Sequence, residues 1–273
     1  MFDDDQKTIR RMTPLLQRVL IADPQPASAR LVGELMLNIA RSQIWMASTT
    51  DKALKLAENC NPDIIFVELK DGAVDGADFT KKLRRSTLSC RQTPVVMTTG
   101  SATAAGILAA RDAGVHEFLR KPFTLKDLLR RLEAVTLRQR DWVEAVGYIG
   151  PDRRRFNSGD YTGALKRRSD NRSTPDAARI AQALKILRSA VMAVESDPQQ
   201  ALRAMLAQAG DIQKAATAVS DLTLVTAATD FHRYLKQAAS LGAPLSRSDL
   251  EKRAAPLLAY MPKDMDDLTD VAA

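Results

Sequence analysis

Five short apolar runs, each followed by a stretch with helical periodicity, constrain the fold of this chain more than any other feature. The runs are RVLIAD, IWMAS, IIFVEL, TPVVMTTG and EFLRKPF, and all of them fall between residues 18 and 123. Strands that are apolar without alternation belong in a parallel sheet that helices cover on both faces. Residues 18–146 are therefore predicted to form a doubly wound (βα)5 parallel-sheet α/β domain, with its ligand chemistry at the carboxyl ends of the strands.

The helix after the fifth run is predicted to be long. It starts with Thr124 as N-cap, and the pattern TLKDLLRRLEAVTLRQRDWVEAVG is interpreted as helical to about Val146. Trp142 and Tyr148 are interpreted as extending this helix and cementing a contact between domains. We expect the helix to connect the α/β domain rigidly to the C-terminal half of the chain, and residues 1–17 to form an N-terminal extension.

The apolar period disappears between residues 147 and 174. Residues 136–174 hold nine basic and five acidic residues, the densest positive charge in a chain of net charge +7. This segment is interpreted as a linker or an extended ligand-binding arm. The helical period then returns, and residues 175–273 are predicted to form a small all-α domain of three or four helices.

Targeting and redox signals favour a cytoplasmic protein. The N-terminus MFDDDQKTIRRMTP lacks the apolar segment of a secretory signal, and no run of 18 apolar residues predicts a membrane span. Cys60 and Cys90 are interpreted as free thiols, because their spacing fits neither a disulfide framework nor a metal site.

Chemistry-bearing residues stand at the ends of four of the five apolar runs: Asp23, Glu68, Thr99 and Lys121. In this arrangement, residues 18–135 resemble the receiver domain of bacterial two-component response regulators. The resemblance implies a pocket in which acids of the first and third strands bind Mg²⁺ and a third-strand Asp accepts a phosphoryl group. It also implies that Thr99 and Lys121 hold that phosphoryl group and that Phe118 is the switch aromatic.

Two positions depart from the family pattern. Pro24 replaces the second acid of the first strand, and Glu68 stands at the acceptor position. Magnesium usually needs one or two carboxylates in near-octahedral geometry, and Pro24 supplies no side-chain oxygen. The longer Glu68 side chain would intrude where the phosphoryl group sits, and in-line transfer depends on positioning. We therefore expect a degenerate pocket, or pseudo-receiver, with impaired or absent Mg²⁺ binding and no acyl phosphate at Glu68.

Three roles of Glu68 stay open. Its carboxylate could reach Lys121 and mimic an aspartyl phosphate, holding the domain near the activated conformation. It could instead be a relic that pairs with Lys121 only to satisfy the pocket. The third alternative is residual phosphorylation, at Glu68 or at nearby Asp71.

The basic segment is the second candidate site. Its cations are Arg153, Arg154, Arg155, Lys166, Arg167 and Arg168, with Tyr161 between them. Guanidinium groups bind phosphates bidentately and stack on bases, so the segment could bind cyclic-di-GMP, nucleic acid or an acidic protein face. It loosely resembles the arginine-rich arms of some cyclic-di-GMP effectors, without a complete PilZ signature. A solvated basic linker is the alternative.

The remaining features favour an interaction protein over an enzyme. The sequence contains no nucleophile–base pair, metal-ligand cluster or phosphate-cradling glycine loop, so no catalytic residue is assigned. His232 is interpreted as a plain surface or interface histidine, and His116 receives no role. Residues 175–273 have a net charge of −1 and lack a basic recognition helix, so a nucleic-acid partner is not expected.

These observations lead to one functional hypothesis and one alternative. The chain is predicted to be a phosphorylation-independent signalling adaptor with a receiver-like domain and a helical output domain. Protein partners, or a second copy, would dock on the face of the fourth helix, fifth strand and fifth helix, as the resemblance implies. The alternative is an effector that binds cyclic-di-GMP or another anionic ligand through the basic segment.

Overall fold

The structure, a computed structural model, describes residues 2–101, 103–153, 175–242 and 244–261, with the backbone alone at residues 2–5. It divides into two compact units. The receiver unit holds the described residues up to 143 together with 148–153, and the helical unit holds 144–147 together with the described residues from 175 onward.

A five-stranded parallel sheet forms the centre of the receiver unit. Its strands lie in the order β2-β1-β3-β6-β7, which is the order of a doubly wound flavodoxin-like domain. They are β1 (Arg18–Ala22), β2 (Gln43–Ala47), β3 (Ile64–Glu68), β6 (Val95–Thr99) and β7 (Glu117–Arg120). Every residue of β3 and β6 is buried, as their unbroken apolar runs predict. Two short strands, β4 (Lys70–Asp71) and β5 (Val74–Asp75), pair antiparallel just after β3.

Five helices cover the two faces of this sheet. They are α2 (Pro26–Ala40), α3 (Thr50–Cys60), α4 (Gly76–Arg85), α5 (Ala104–Asp112) and α6 (Leu125–Thr136). One apolar cluster joins the sheet to α2 and α6 through Met36 and Leu132. A second cluster joins the opposite face to α3 and α4 through Ala57 and Phe79. The predicted (βα)5 domain is therefore confirmed.

Side-chain caps fix where four of these helices begin. Thr49, Asp75, Thr103 and Thr124 each accept a hydrogen bond from the backbone N–H three residues ahead. Such a cap satisfies a donor that the first helical turn leaves without a partner. At Thr124 the Asp127 carboxylate also accepts from the Thr124 backbone, which completes a capping box.

The prediction of a helix from Thr124 to Val146 is wrong. Helix α6 ends at Thr136, and the chain then forms a hairpin of β8 (Trp142–Glu144) and β9 (Ile149–Pro151). Trp142 and Tyr148 therefore do not extend the helix. Burial of aromatic and apolar side chains against the receiver unit overrides the helical propensity of TLRQRDWVEAV.

The N-terminal residues are part of the receiver core. Helix α1 (Phe2–Met12) is followed by a 3₁₀ turn over Thr13–Leu15. Met12 and Leu16 are fully buried in the cluster that α2 and α6 share. The extension expected at residues 1–17 thus contributes side chains to that hydrophobic core.

The helical unit contains four helices around one apolar core, as predicted. They are α7 (Pro175–Met192), α8 (Pro198–Ala218), α9 (Leu222–Leu241) and α10 (Arg247–Leu258). Two buried glutamines of α8 hold residues 144–147 in this unit. The Gln200 amide donates to Glu144 Oε1 at 3.0 Å, and the Gln208 amide donates to the Glu144 carbonyl at 3.1 Å.

The described residues include both cysteines and all of the helices that could be tested as membrane spans. Cys60 and Cys90 are free, as predicted, and the structure shows that both are buried. Among the residues that the structure describes, no helix has the length and apolarity needed to cross a bilayer.

Candidate functional site

The sequence-predicted pocket lies at the carboxyl edge of the sheet. Glu68 ends β3, Asp23 follows β1 and Lys121 follows β7. Because the carboxyl ends of parallel strands meet at one edge, these three residues come together although 98 positions separate Asp23 from Lys121.

Lys121 bridges the two carboxylates. Its Nζ donates to Asp23 Oδ2 and to Glu68 Oε2, in both cases at 2.7 Å. The side chains of Asp23 and Glu68 are 4% and 7% exposed, and that of Lys121 is 22% exposed. The pocket is therefore a nearly buried ion triad of two carboxylates and one ammonium group.

Two further donors hold the Asp23 carboxylate. Ser28 Oγ donates to Oδ2 at 2.6 Å, and the Gln25 backbone N–H donates to Oδ1 at 2.9 Å. Ser28 was not identified from the sequence. Its position in the first turn of α2, five residues after Asp23, is the signal that could have revealed it.

Burial and hydrogen bonding act in opposite directions on the charges of the triad. Burial favours the neutral form of Asp23, but hydrogen bonds from Lys121, Ser28 and Gln25 outweigh it and lower the pKa of the carboxyl group. Burial disfavours the Lys121 ammonium, but its bonds to Asp23 and Glu68 outweigh that effect and raise its pKa. Asp23 and Lys121 are therefore both charged at neutral pH.

Glu68 has additional contacts in which Thr98 takes part and Thr99 does not. Its Oε1 accepts from the Leu69 N–H at 3.2 Å, and its Oε2 lies 3.5 Å from Thr98 Oγ1. The Thr99 hydroxyl, which the resemblance assigns to holding a phosphoryl group, instead bonds to the backbone of Ser101.

The residues present do not fit the magnesium that the receiver resemblance implies. One acidic position is Pro24, which offers no side-chain oxygen. Asp23 Oδ2 and Glu68 Oε2 both accept from the Lys121 ammonium, which supplies positive charge where a cation would. In the described part of the chain, no cluster of three or more His, Cys, Asp or Glu side chains is arranged to hold a metal ion.

Phe118 lies in β7, partly buried, and packs against the apolar cluster of α3 and α4. It sits beside Met97 in the parallel register of β6 and β7. This is the position that the resemblance gives to the switch aromatic.

A second polar cluster surrounds Arg84, which is fully buried on α4. Its guanidinium donates to the carbonyl oxygens of Gly114, Arg91 and Thr93 at 2.6–3.1 Å. It also lies 3.2 Å from His116 Nδ1 and stacks 5.2 Å from the centroid of the Trp142 ring. Burial lowers the pKa of Arg84 to about 9, so the group is still charged at neutral pH.

This cluster gives His116 a structural environment that the sequence did not reveal. The residue is partly buried, and its Nδ1 faces Arg84 and the Val95 backbone N–H. Burial, with the nearby charges of Arg84 and Arg140, lowers the pKa of His116 well below its ordinary value. The imidazole is therefore neutral, with Nδ1 as acceptor.

The first cation of the predicted ligand-binding segment contacts the receiver unit. Arg153 pairs with Asp112 at 2.8 Å, and its guanidinium stacks 4.2 Å from the centroid of the Tyr148 ring. The other five candidates, Arg154, Arg155, Lys166, Arg167 and Arg168, lie outside the described residues, as does Tyr161. The proposed anion-binding role of this segment stays a prediction.

Comparison with known proteins identifies a family that matches most of the receiver unit. The family described as "Response regulator receiver domain" matches residues 19–133. The chain is 32% identical over 128 residues to the DNA-binding dual master transcriptional regulator RpaA of Synechocystis, covering 47% of this chain and 52% of RpaA. It is 28% identical over 133 residues to the transcriptional regulatory protein PdtaR of Mycobacterium tuberculosis, covering 49% of this chain and 63% of PdtaR.

A solved structure with a similar fold is a response regulator receiver domain protein (CheY-like) from Methanospirillum hungatei. The match has a TM-score of 0.41 and 21% identity, and it covers 45% of this chain and 95% of that protein. The family match, and not this structural likeness, identifies residues 19–133 as a response regulator receiver domain of two-component signalling. Relatives of the chain are named transcriptional regulators.

Proposed function

We propose that this chain is a phosphorylation-independent signalling protein. Its receiver domain acts as a protein-interaction module, and its helical unit acts as the output. The match spans only 52% and 63% of the length of RpaA and PdtaR. The activity and partners of the whole protein are therefore part of this proposal and are not taken over from these relatives.

The observation that supports the proposal is the pairing of Lys121 with both Asp23 and Glu68 at 2.7 Å. In the family, the corresponding lysine holds the phosphoryl group. Here two nearly buried carboxylates already bind it. A phosphoryl group entering the pocket would have to displace these contacts and bring further negative charge beside Glu68.

The position of Thr99 bears on what Glu68 does. A carboxylate that mimics an aspartyl phosphate would engage both holding groups, the lysine and the hydroxyl. Glu68 contacts Lys121 and Thr98, whereas Thr99 bonds to Ser101. This arrangement favours a Glu68 that fills and neutralises the pocket over one that reproduces an activated state.

The proposed docking face consists of α5, β7 and α6. Leu108 and Leu125 are 48% and 49% exposed on its two helices. Glu117 and Arg131 form an ion pair at 3.0 Å between β7 and α6. A partner or a second copy would use this face, with the exposed leucines in the contact and the ion pair toward its polar rim.

The test is incubation of purified protein with acetyl phosphate and Mg²⁺, followed by intact mass spectrometry. The wild type should gain no phosphoryl group, and the double variant Glu68→Asp with Pro24→Asp should gain one. Glu68→Asp alone is the intermediate case, since it restores the acceptor and not the second acid. A wild type that gains a phosphoryl group would overturn the proposal.

The alternative function is binding of cyclic-di-GMP or another anionic ligand by the basic segment. Because Arg153 already pairs with Asp112, this alternative depends on the more C-terminal cations of the segment. Binding of labelled cyclic-di-GMP that is lost in the double variant Arg154→Ala with Arg167→Ala would favour the alternative. Unchanged binding in that variant would count against it.

A DNA partner is a further alternative, because RpaA is named as DNA-binding. The net charge of −1 over residues 175–273 favours a protein partner for the helical unit, since contacts to DNA phosphates need an excess of basic residues.

A further inference from the structure

A groove runs along the first part of α9 in the helical unit. It has a volume of about 670 Å³. One wall and the floor come from residues on a single face of α9, and the other wall comes from α10. The α9 residues are Leu222, Thr223, Thr226, Ala227, Asp230, Phe231 and Tyr234.

The floor of the groove is apolar and only partly covered. Leu222 is 77% exposed in the first turn of α9, although it is a large apolar side chain. Phe231 is buried beneath the groove, and Ala227 between them is partly buried. An apolar helical stripe of this kind is normally buried against another element, whereas Leu222 at its start is exposed.

The α10 wall adds positive charge. Lys252 and Arg253 line the groove, and the Arg253 guanidinium stacks 4.0 Å from the centroid of the Tyr234 ring. Asp230 is the carboxylate among the described lining residues, and it pairs with Arg233 at 3.1 Å. The rim therefore presents cations whose charge the carboxylate of the groove does not balance.

We propose that this groove docks an amphipathic helix of a partner protein, with apolar residues against Leu222 and Ala227 above the buried Phe231, and acidic residues against Lys252 and Arg253. The stripe from residue 222 to residue 234 is about 18 Å long at 1.5 Å per residue, which fits about three turns of helix. The inference rests on the proposed function in one respect: it takes the helical unit as the output.

The charge of the groove favours an acidic helix over two other occupants, a second copy of the chain and a nucleic acid. In a two-fold dimer formed groove to groove, each copy would offer the cations of the other only Asp230, which is already paired with Arg233. A nucleic acid would need a row of phosphate contacts, whereas this groove has an apolar floor and cations on one wall. An acidic amphipathic helix would place apolar side chains on the floor and carboxylates beside the cations of the rim.

The probe is a fluorescein-labelled, two-heptad peptide with leucines along one face and glutamates beside them. A control peptide has lysine at every glutamate position. Titrated by fluorescence anisotropy against the full chain, the acidic peptide should bind at least about tenfold more tightly than the basic peptide. Equal binding of the two peptides would overturn the proposal.

Variants then locate the site. The double variant Lys252→Glu with Arg253→Glu, and separately Leu222→Glu, should each weaken binding at least about tenfold. All three positions are exposed, and circular dichroism would check that the helices persist. The matched control is Lys185→Glu with Lys214→Glu, the same charge change at exposed positions outside the groove. A control variant that loses as much affinity would overturn the proposal.

Two outcomes would assign the groove to another occupant and so overturn the inference. One is a dimer in light scattering that Leu222→Glu dissociates. The other is peptide binding that appears only after residues 262–273, which contain four aspartates, are removed. None of these measurements uses a phosphoryl donor, so a phosphorylated wild type would overturn the proposed function and leave the groove result unaffected.

Discussion

Lys121 Nζ and Glu68 Oε2 lie 2.7 Å apart at the carboxyl edge of the receiver sheet, in a pocket where Glu68 is almost fully buried. The same ammonium group binds Asp23, so one cation balances part of the charge of two carboxylates. A buried ion pair contributes little net stability, but removing one partner leaves the other charge without compensation.

We therefore expect Lys121→Met to destabilise the receiver unit by about 3–5 kcal/mol, because two nearly buried carboxylates would then face each other. Glu68→Gln should have a smaller effect, since Lys121 keeps Asp23. The double variant should be more stable than the sum of the two single effects predicts. Urea denaturation of the four proteins measures this coupling, and strict additivity would show that the pair does not interact.

The stability of the protein at acidic pH tests whether the ionised Asp23 carboxylate stabilises the fold. Its pKa is lowered from 3.8, so its contribution to stability is present above pH 3.8 and disappears as the pH falls through the lower pKa of the folded state. The wild type should therefore lose more stability than Asp23→Asn as the pH falls below about 4. The charge-matched control Asp51→Asn, at an exposed position, should follow the wild type.

The contribution of Lys121 to stability is lost at alkaline pH, whereas that of Asp23 is lost at acidic pH. Its pKa is raised from 10.5, so its contribution is complete below pH 10.5 and is lost as the pH rises through the higher pKa of the folded state. Between these limits the contributions of Asp23 and Lys121 should stay constant. A stability profile of the wild type with a step near neutral pH, absent from Lys121→Met, would contradict the assigned charges.

The sequence predicted the pocket better than it predicted the contacts around it. Parallel strands that end together bring Asp23, Glu68 and Lys121 to one edge whatever the details of packing. Which of Thr98 and Thr99 faces Glu68 depends on the backbone conformation at the end of β6, and no sequence pattern encodes that conformation.

The Arg84 cluster shows why part of the fold could not be predicted. In the helix sequence TKKLRRS, Arg84 looks like one more solvent-exposed cation beside Lys82 and Arg85. Only the packed structure shows that it is buried beneath Trp142 and bonded to carbonyl groups. The same contact belongs to the hairpin, because Trp142 lies in β8 and its ring faces the Arg84 guanidinium.

The N-terminal helix offers a test of whether residues 1–17 belong to the domain. Met12 is fully buried in the cluster of α2 and α6, whereas Leu15 is 45% exposed. Met12→Ala should lower the free energy of unfolding by about 2–5 kcal/mol, and Leu15→Ala should change it by no more than about 0.5 kcal/mol. Equal effects in urea denaturation would show that α1 does not contribute to the core.

Gly114 and Gly72 form a matched pair that tests the hairpin. Both have a positive φ, at 89° and 50°, so alanine is strained at either position. At Gly72 a Cβ would meet nothing within 4 Å, whereas at Gly114 it would overlap the carbonyl oxygen of Ile149 in β9. Gly72→Ala should therefore lower the free energy of unfolding by only about 1 kcal/mol. Gly114→Ala should lower it further and displace the hairpin.

Displacement of the hairpin can be measured separately from the free energy of unfolding. Hydrogen exchange in Gly114→Ala should accelerate over residues 142–151, while the exchange of β3 and β6 at the pocket edge changes much less. Trp142 fluorescence should also shift as the indole leaves Arg84, whose guanidinium now lies 5.2 Å from its centroid. If Gly114→Ala and Gly72→Ala have the same stability and the same exchange pattern, then the contact between Gly114 and Ile149 does not hold the hairpin on the receiver unit.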